Sequence, residues 1–408
     1  MFSRRELVIK RIALLTLVAG AVMCGRADAQ NAPWAPERLT PGWFITPGIV
    51  LGGLWDSNVT VSSVGNPHLR EWVGLVNPRG EIDFNGRRTH MNAGYSGALE
   101  TYRRFNELQR YEQRARFQLR QDVSPRLKIG TSASYFAVPT TDRLDIGITN
   151  LPFTDVGSRV FDGGGDFTLS TSERTQIGGL YRFQYVAFDP NVPGVNAEFL
   201  YGGHSNQTGL RVNRALTSRL SLGAGWDYSY SNVRQGREIS NVHTLDTELS
   251  YHARPGTKVS ASIGASHLAV DDPAIAKWGP SLRANIEQQI GRAVISARYS
   301  RSFTPSYTVS GLNADQSMGV NANVPFGAGR SYATGSISYG RTKPVSEFGF
   351  GFQLDSVSSY LGFGYHMTRW LQAEAFYSGM QQTSSALLDV YRARFGVQFI
   401  TAKPLRID

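Results

Sequence analysis

The sequence predicts an all-β protein, a transmembrane antiparallel up-and-down β-barrel of about 18 strands, with 16 strands as the alternative count. Three observations predict this class. Ionic and apolar residues alternate with a period of two, and short turns recur at regular spacing. An export signal also precedes a chain that has no later apolar stretch of transmembrane-helix length.

The alternation is clearest over residues 108–121, where ionic side chains occupy one face and apolar side chains the other. Successive side chains of a strand point to opposite sides, so this pattern is typical of a strand. A helix of the same sequence would place Arg110 and Arg114 on one stripe with Phe117 and bury charge. The alternation recurs in four further segments: residues 177–187, 220–230, 282–290 and 391–399. Its persistence indicates a membrane barrel and excludes most soluble β folds.

Short turns between strands recur roughly every forty residues, the spacing of a repeating unit of two strands, one turn and one longer loop. The predicted turns lie at 85–87, 124–126, 171–173, 216–218, 254–256, 291–292, 327–329 and 367–369. Eight turns join sixteen strands, and one more strand at each end gives about 18. The segments in which strand and loop are hardest to separate are 43–55 and 347–352.

The chain divides into four predicted segments. Residues 1–29 resemble a secretory signal, with basic residues, a short apolar core and the cleavage pattern Ala27-Asp28-Ala29. Residues 30–42 form a proline-rich periplasmic leader, residues 43–400 the outer-membrane barrel, and residues 401–408 a periplasmic C-terminal tail. Cleavage after Ala29 removes Cys24, the one cysteine, so no disulfide or cysteine metal site is expected in the exported chain.

The chain is basic, with a formal net charge of +10, and nearly all of this charge is arginine, since it has only six lysines. A coding bias toward arginine is one explanation. The functional one is that guanidinium groups pair with carboxylates and phosphates, on a polyanion or on the lipid A of lipopolysaccharide. Dispersed arginines in an exported chain do not indicate a nucleic-acid partner.

Many of the charged residues fall on the strand face that would line the lumen. A barrel of this size has a lumen wide enough for water. One hypothesis is a positive lumen that selects anions, because unpaired charged rings set selectivity. The alternative is that the arginines pair across the lumen with inward acidic residues such as Asp227 and Glu287. The predicted lumen-facing residues are Arg110, Glu112, Arg114, Arg116, Arg120, Arg182, Asp246, Glu248, Arg283, Arg298, Arg392 and Arg394.

A long connection, residues 139–159, joins the predicted fifth and sixth strands. It carries Asp142, Asp145 and Asp155. Classical porins fold a loop at this place into the barrel, and by that resemblance these carboxylates would form a constriction opposite the strand that bears Arg110 and Arg120. An ordinary surface loop is the alternative, although several apolar residues in it would then be exposed.

The sequence does not predict an enzyme, a metal site or a cofactor. Its seven histidines are scattered and form neither a serine–histidine–acid pattern nor a paired metal-ligand spacing. Acidic residues also occur in two predicted loops, at Asp56-Ser57-Asn58 and Asp271-Asp272. Such carboxylates could bind calcium, but acidic residues in loops are usually only hydrated.

The last predicted strand carries a barrel-assembly signal. Gly396 is followed by alternating apolar residues up to Phe399, similar to the C-terminal pattern by which assembly machinery recognises such barrels, although Ile400 to Asp408 follow it here. The expected partners are therefore the barrel-assembly machinery, outer-membrane lipids and lipopolysaccharide. The expected location is the outer membrane of a Gram-negative (diderm) bacterium.

The first strand and its end, Gly48 to Val59, resemble the opening of the outer-membrane β-barrel porin 2 family, whose members begin with a strand that ends in an aromatic-Asp-Ser/Asp-Asn step. Here that step is Trp55-Asp56-Ser57-Asn58. The Ser-Pro-Arg-Leu turn at 124–127 and the Thr-Ser-Arg-Leu turn at 217–220 are also similar. The resemblance implies an exopolysaccharide-associated barrel and carries over Trp55, Asp56 and Asn58 without assigning them a role.

Three functions are compatible with the sequence. The first is an outer-membrane conduit for exopolysaccharide or other hydrated, anionic solutes. The second is a general or anion-preferring diffusion porin. The third is a non-conducting structural or adhesive barrel whose own side chains plug the lumen. Block of conductance by polymer separates the first two, and absence of conductance favours the third.

Overall fold

The computed structural model describes residues 41–61, 68–105, 110–139, 156–189, 202–233, 238–271, 274–305, 307, 312–345, 353–385 and 389–407. These residues form eighteen long strands and one short strand. The strands are β1 (Gly42–Asp56), β2 (Glu71–Asn85), β3 (Thr89–Tyr102), β4 (Arg110–Asp122), β5 (Leu127–Pro139), β6 (Gly157–Ser170), β7 (Thr175–Phe188), β8 (Gly203–Ala215), β9 (Leu220–Val233), β10 (Glu238–Arg254), β11 (Thr257–Val270), β12 (Ile275–Ile290), β13 (Ala293–Pro305), β14 (Leu312–Phe326), β15 (Ser331–Pro344), β16 (Leu354–His366), β17 (Leu371–Ser384), β18 (Val390–Ala402) and β19 (Leu405–Ile407).

The long strands form one closed antiparallel barrel. Each strand pairs with the next along the chain, and β1 closes the sheet by pairing with β18. The closing register runs from Gly48 opposite Ala402 to Asp56 opposite Arg394. Closure leaves no long unpaired edge, which is the condition for a sheet to stand in lipid. The predicted fold class and the count of 18 strands are therefore confirmed.

All eight predicted short turns join consecutive strands in the structure. Several use a hydroxyl side chain at the first turn position. Ser124 Oγ accepts the backbone N–H of Leu127 at 3.0 Å, and Thr217 Oγ1 accepts that of Leu220 at 3.0 Å. Thr368 Oγ1 and the Leu371 N–H repeat the same contact at 3.0 Å. A Ser or Thr hydroxyl at the first position thus adds a side-chain bond to the backbone bonds that close the turn, which explains why short polar segments separate the strands in the sequence.

The outer face of the barrel is apolar. Ile263 and Trp278 are 68% and 69% exposed, and large apolar side chains of most other strands are also exposed on this face. A belt of this extent is not left in water by a folded protein. Closed antiparallel barrels with such a belt are proteins of the Gram-negative outer membrane, and that is where the protein lies. Among the residues placed in the structure, no helix is long and apolar enough to span a bilayer.

The C-terminal end is more ordered than the predicted tail. Strand β18 extends to Ala402, and β19 pairs Ile407 with Trp43 and Leu405 with Ile45. The Lys403 N–H also donates to the Pro47 carbonyl at 3.2 Å. Most of the segment predicted as a tail, residues 401–408, thus continues the barrel seam. The first residues of β1, before Gly48, extend past the end of β18, and their backbone groups pair with β19.

Candidate functional site: the inner wall of the barrel

Strand β4 carries an ionic face, and the structure turns that face inward. Tyr111 lies on the outer side, while Glu112 is buried on the inner side. Arg116 Nη2 donates to Glu81 Oε1 on β2 at 2.8 Å, and Arg114 Nη2 contacts Glu112 Oε2 at 3.5 Å. The backbone of Arg110, at the start of β4, pairs with that of Glu100 on β3.

A second ionic cluster joins strands β8 to β12. Asp246 on β10 lies between two arginines: Arg211 Nη2 donates to it at 3.0 Å and Arg283 Nη2 at 3.1 Å. Arg211 also donates to Glu248, and Arg283 reaches Asp227 at 3.4 Å. All five side chains belong to one stretch of wall. The arginines therefore pair along the wall with near neighbours, and not across the lumen as one of the sequence hypotheses held.

A third cluster lies where β1 meets β18. Arg394 Nε donates to Asp56 Oδ2 at 2.7 Å, and its two terminal nitrogens donate to Glu100 on β3 at 3.0 and 3.1 Å. Arg392 makes three bonds to the same Asp56 carboxylate, from 2.5 to 3.1 Å. Asp56 is completely buried. The expectation that the Asp56 step is a solvated loop is therefore wrong, because two guanidinium groups replace water around it.

In most of the ion pairs that face the lumen, the arginine is the more exposed partner, whereas in the Arg211–Glu248 pair the arginine is 22% and the glutamate 31% exposed. The side chain of Arg283 is 48% exposed and that of Asp246 is fully buried. Arg116 is 40% exposed against 19% for Glu81. A long guanidinium side chain extends away from the wall, whereas a short carboxylate stays against the backbone. At Arg283 and Arg116, solvent in the lumen therefore meets mainly the positive group of the pair.

Further arginines line the lumen without an ion pair to another described residue. Arg120 on β4, Arg182 on β7 and Arg298 on β13 face inward by the strand register and are exposed. Glu287 on β12 also faces inward and is exposed. The exposed arginines lie at several positions around the barrel, so basic groups border the lumen on more than one side.

One buried carboxylate on the inner wall is held by neutral groups. Glu374 on β17 accepts hydrogen bonds from the hydroxyls of Tyr332 and Tyr360, and from Gln398 Nε2 at 3.2 Å. Gln372 is part of the same buried group. These bonds satisfy the carboxylate and join β15 to β18, which favours a structural role for this group.

Tyr307 connects two distant parts of the barrel. It belongs to the connection between β13 and β14, yet it is buried against Val160, Val186 and Val233 of strands β6, β7 and β9. Its hydroxyl donates to Gln184 Oε1 at 3.0 Å, and a second contact joins it to Ser205 Oγ at 3.2 Å. Burial raises the pKa of Tyr307 to about 12. The chain at this point therefore reaches over part of the mouth to the wall formed by β6 to β9.

The predicted constriction residues Asp142, Asp145 and Asp155 lie outside the described residues, as does the uncertain segment 347–352. The connection that carries the three aspartates runs between the end of β5 at Pro139 and the start of β6 at Gly157.

The predicted assembly signal lies on β18. Gly396 faces inward against β1, and a Cβ atom there would lie 2.5 Å from the Gly53 carbonyl oxygen and 2.7 Å from Leu54 Cβ. Phe399 faces outward and is exposed. The glycine thus permits a close approach at the seam, which is a folding requirement distinct from recognition by any partner.

Sequence reasoning missed several inner-wall residues. Arg211 lies between Leu210 and Val212, so the same alternation that found the other arginines was sufficient to find it. Glu81 and Glu100 carried no local signal, since their importance comes from arginines on other strands. Tyr307 also had none, because its partners come from four strands distant in the chain.

No group of three or more histidine, cysteine, aspartate or glutamate side chains that could hold a metal ion occurs among the residues in the described ranges.

No protein-family model matches the chain, and no curated protein sequence does. Solved structures do match. One is OccAB4 of Acinetobacter baumannii, with a TM-score of 0.47 and 9% identity, covering 90% of this chain and 100% of that one. Another is OccK3 (OpdO) of Pseudomonas aeruginosa, with a TM-score of 0.45 and 11% identity, covering 90% and 97%. OpdL of Pseudomonas aeruginosa matches with a TM-score of 0.41 and 10% identity, covering 90% and 99%.

Proposed function

We propose that the protein is a passive outer-membrane pore for small hydrated solutes and that it prefers anions. The observation that carries the proposal is the unequal exposure of charge on the inner wall. Carboxylates such as Asp246 are buried while guanidinium groups such as Arg283 extend into the lumen. Exposed charges that border a water-filled path set the sign of the ions that pass.

The arrangement supports attraction without tight binding. Arg120, Arg182 and Arg298 are exposed and make no ion pair with another described residue, although the charge of Arg182 also acts on the carboxylate of Asp162. Guanidinium groups bind carboxylate and phosphate in a bidentate manner. Basic groups on β4, β7 and β13 would let an anion pass from one weak site to the next, as conduction requires.

A small solute fits this barrel better than the exopolysaccharide that the family resemblance implies. Tyr307 extends from one side of the mouth to the other wall, and Val59 and Val61 are buried against the inside of the barrel. These chain segments occupy room that a hydrated polymer would need. Addition of an acidic polysaccharide tests the point directly, since a polymer conduit predicts reversible block of the conductance.

The decisive measurement is the conductance and ion selectivity of protein purified from outer membranes, in a planar bilayer. We expect a conducting channel that prefers chloride over potassium. The double substitution Arg182→Glu/Arg298→Glu should reverse or abolish that preference, because it places two negative charges in the lumen without breaking an ion pair between described residues. Arg126→Glu, in the exposed turn between β4 and β5, is the matched control.

The double substitution Arg114→Glu/Arg116→Glu should weaken anion preference as well. It also places charge beside Glu112 and Glu81, so its folding has to be checked by heat-modifiable migration. A bilayer that stays silent with correctly folded wild-type protein would overturn the pore and favour a plugged structural barrel. Equal selectivity in wild type and Arg182→Glu/Arg298→Glu would overturn the assignment of these arginines.

A further inference from the structure

The step Trp55-Asp56-Ser57-Asn58 ends the first strand, and its polar residues bind the last strand. Asp56 has no solvent exposure and accepts four hydrogen bonds from Arg392 and Arg394 of β18. It also accepts the backbone N–H of Asn58 at 3.0 Å. A carboxylate without water is stable only when donors surround it, as they do here.

Ser57 and Asn58 extend the pairing of the two strands beyond the end of β1. The Ser57 N–H donates to the Ala393 carbonyl at 2.9 Å, and the Ala393 N–H donates to Ser57 Oγ at 2.8 Å. Asn58 Nδ2 donates to the Tyr391 carbonyl at 3.0 Å. The three consecutive polar residues therefore fasten the extracellular end of the barrel seam.

Val59 and Val61, which follow this step, lie inside the barrel. Val59 packs with Leu54, Val73 and Tyr102, and its N–H donates to the Leu69 carbonyl at 3.0 Å. Val61 packs on Val390 and Met380, side chains that face the interior.

Val61 also has a φ of 52°. This left-handed conformation is a true outlier for a β-branched residue, and it persists only where surrounding contacts hold it. Among the described residues, Val61 is held by its apolar packing on Val390 and Met380 and by the hydrogen bond from its N–H to the Asn58 carbonyl at 3.1 Å. The contacts of Asp56 therefore fix the end of β1, and the packing of Val61 holds the start of the β1–β2 connection inside the barrel.

We propose that Asp56 is a positioning residue that closes the barrel seam and, by the same contacts, holds the start of the β1–β2 connection inside the mouth, where it narrows the pore. Loss of the carboxylate leaves Arg392 buried without its ion-pair partner. A buried unpaired charge moves toward water. The arginine would then displace the packed Val61, and the start of the connection, residues 59–61, would leave the lumen.

The test substitutes Asp56→Asn, which keeps the shape of the side chain and removes its charge. The matched control is Asp355→Asn, which breaks the Arg341–Asp355 pair of 2.6 Å on the outer face of β15 and β16. Folding of each variant is checked by heat-modifiable migration. Position is reported by cross-linking Val61→Cys to Val390→Cys with a short bifunctional thiol reagent.

We expect Asp56→Asn to lower the cross-linking yield at least about threefold and to raise single-channel conductance, with Asp355→Asn unchanged in both. The double substitution Asp56→Asn/Arg392→Gln removes the orphaned charge and should recover part of the cross-linking. A folded Asp56→Asn barrel with wild-type cross-linking would overturn the proposal, even if its stability is reduced, because Asp56 would then only close the seam.

The conductance measurement rests on the proposed pore, whereas the cross-linking does not. A silent wild-type channel with reduced cross-linking in Asp56→Asn would sink the pore and support the positioning role. If the wild-type protein conducts and Asp56→Asn changes neither conductance nor cross-linking, the pore is supported and the positioning role of Asp56 is overturned.

Discussion

The two ionic clusters around Asp56 and Asp246 share a core of one aspartate and two arginines, in different surroundings. Each has one fully buried aspartate shared by two arginines. At the seam, the Arg392 side chain is 6% exposed, whereas Arg283 on the lumen wall is 48% exposed. Water around the arginine, and not the ion pair itself, therefore decides whether the cluster fastens strands or presents charge to the lumen.

Loss of one arginine from each cluster tests this difference and should give the largest effect. Arg392→Gln should lower the free energy of unfolding by about 3 kcal/mol, because a dry carboxylate loses a partner. Arg283→Gln should lower it by about 0.5 kcal/mol, since a half-exposed pair is screened by water. Urea unfolding of the two variants in lipid vesicles measures both values.

Each aspartate retains a second arginine in these variants, Arg394 at the seam and Arg211 on the wall. Neither variant therefore leaves its central aspartate without an arginine partner. Added salt should reduce the small Arg283 effect and leave the Arg392 effect unchanged. Equal losses in the two variants would contradict the argument from burial.

A packing change at the seam should have an intermediate effect. Gly396→Ala would place a Cβ 2.5 Å from a backbone oxygen of β1, and we expect a loss of about 1–3 kcal/mol in unfolding free energy. Gly319→Ala is the control, since a Cβ at that inward position would meet its nearest atom, Arg298 Nε, at 3.5 Å. Similar stability of the two variants would show that the seam adjusts to the methyl group.

The contact of Tyr307 with the opposite wall should contribute least. Tyr307→Phe keeps the apolar packing and removes the hydrogen bonds of the hydroxyl, so the expected loss is about 1 kcal/mol. Val233→Ala changes the same apolar contact and keeps the hydroxyl, which makes it a useful counterpart. If Tyr307→Phe alters conductance while Val233→Ala does not, the hydroxyl holds this connection in place.

The pH dependence of the same contact has a definite sign. The pKa of Tyr307 is raised to about 12 in the folded protein, above its usual 10. Its stabilisation is therefore fully present below pH 10 and is lost as pH rises through 12. Conductance attributable to this connection should stay constant from pH 7 to 9.5, and Tyr307→Phe should remove any change seen above pH 10.

Much of the fold was predictable because its signals are local. A period of two needs only adjacent residues, as in β4, and a turn such as Thr217 to Leu220 is completed by a hydroxyl and a backbone N–H three residues away. The strand count followed from the turns. The inward positions of Arg114 and Arg298 follow from the alternation in the same way.

The state of those arginines was not predictable. Alternation places a guanidinium group on the inner face, but it does not show that Arg116 meets Glu81 while Arg298 has no ion-pair partner among described residues. Those outcomes depend on which strands become neighbours and on the register between them. The end of the chain was unpredictable for the same reason, since β19 forms a strand by pairing with the first residues of β1, which are distant in the sequence.

The sequence by itself therefore determined a barrel with an apolar outer face, a charged inner face and eight short turns, since each of these features depends on residues close together in the sequence. Only the tertiary structure decided which charges are buried, which reach the lumen and how the barrel closes. Asp56 and Arg392 are 336 positions apart, and no local pattern links them. They meet because closure brings the first strand beside the last, where loss of water makes their pairing matter.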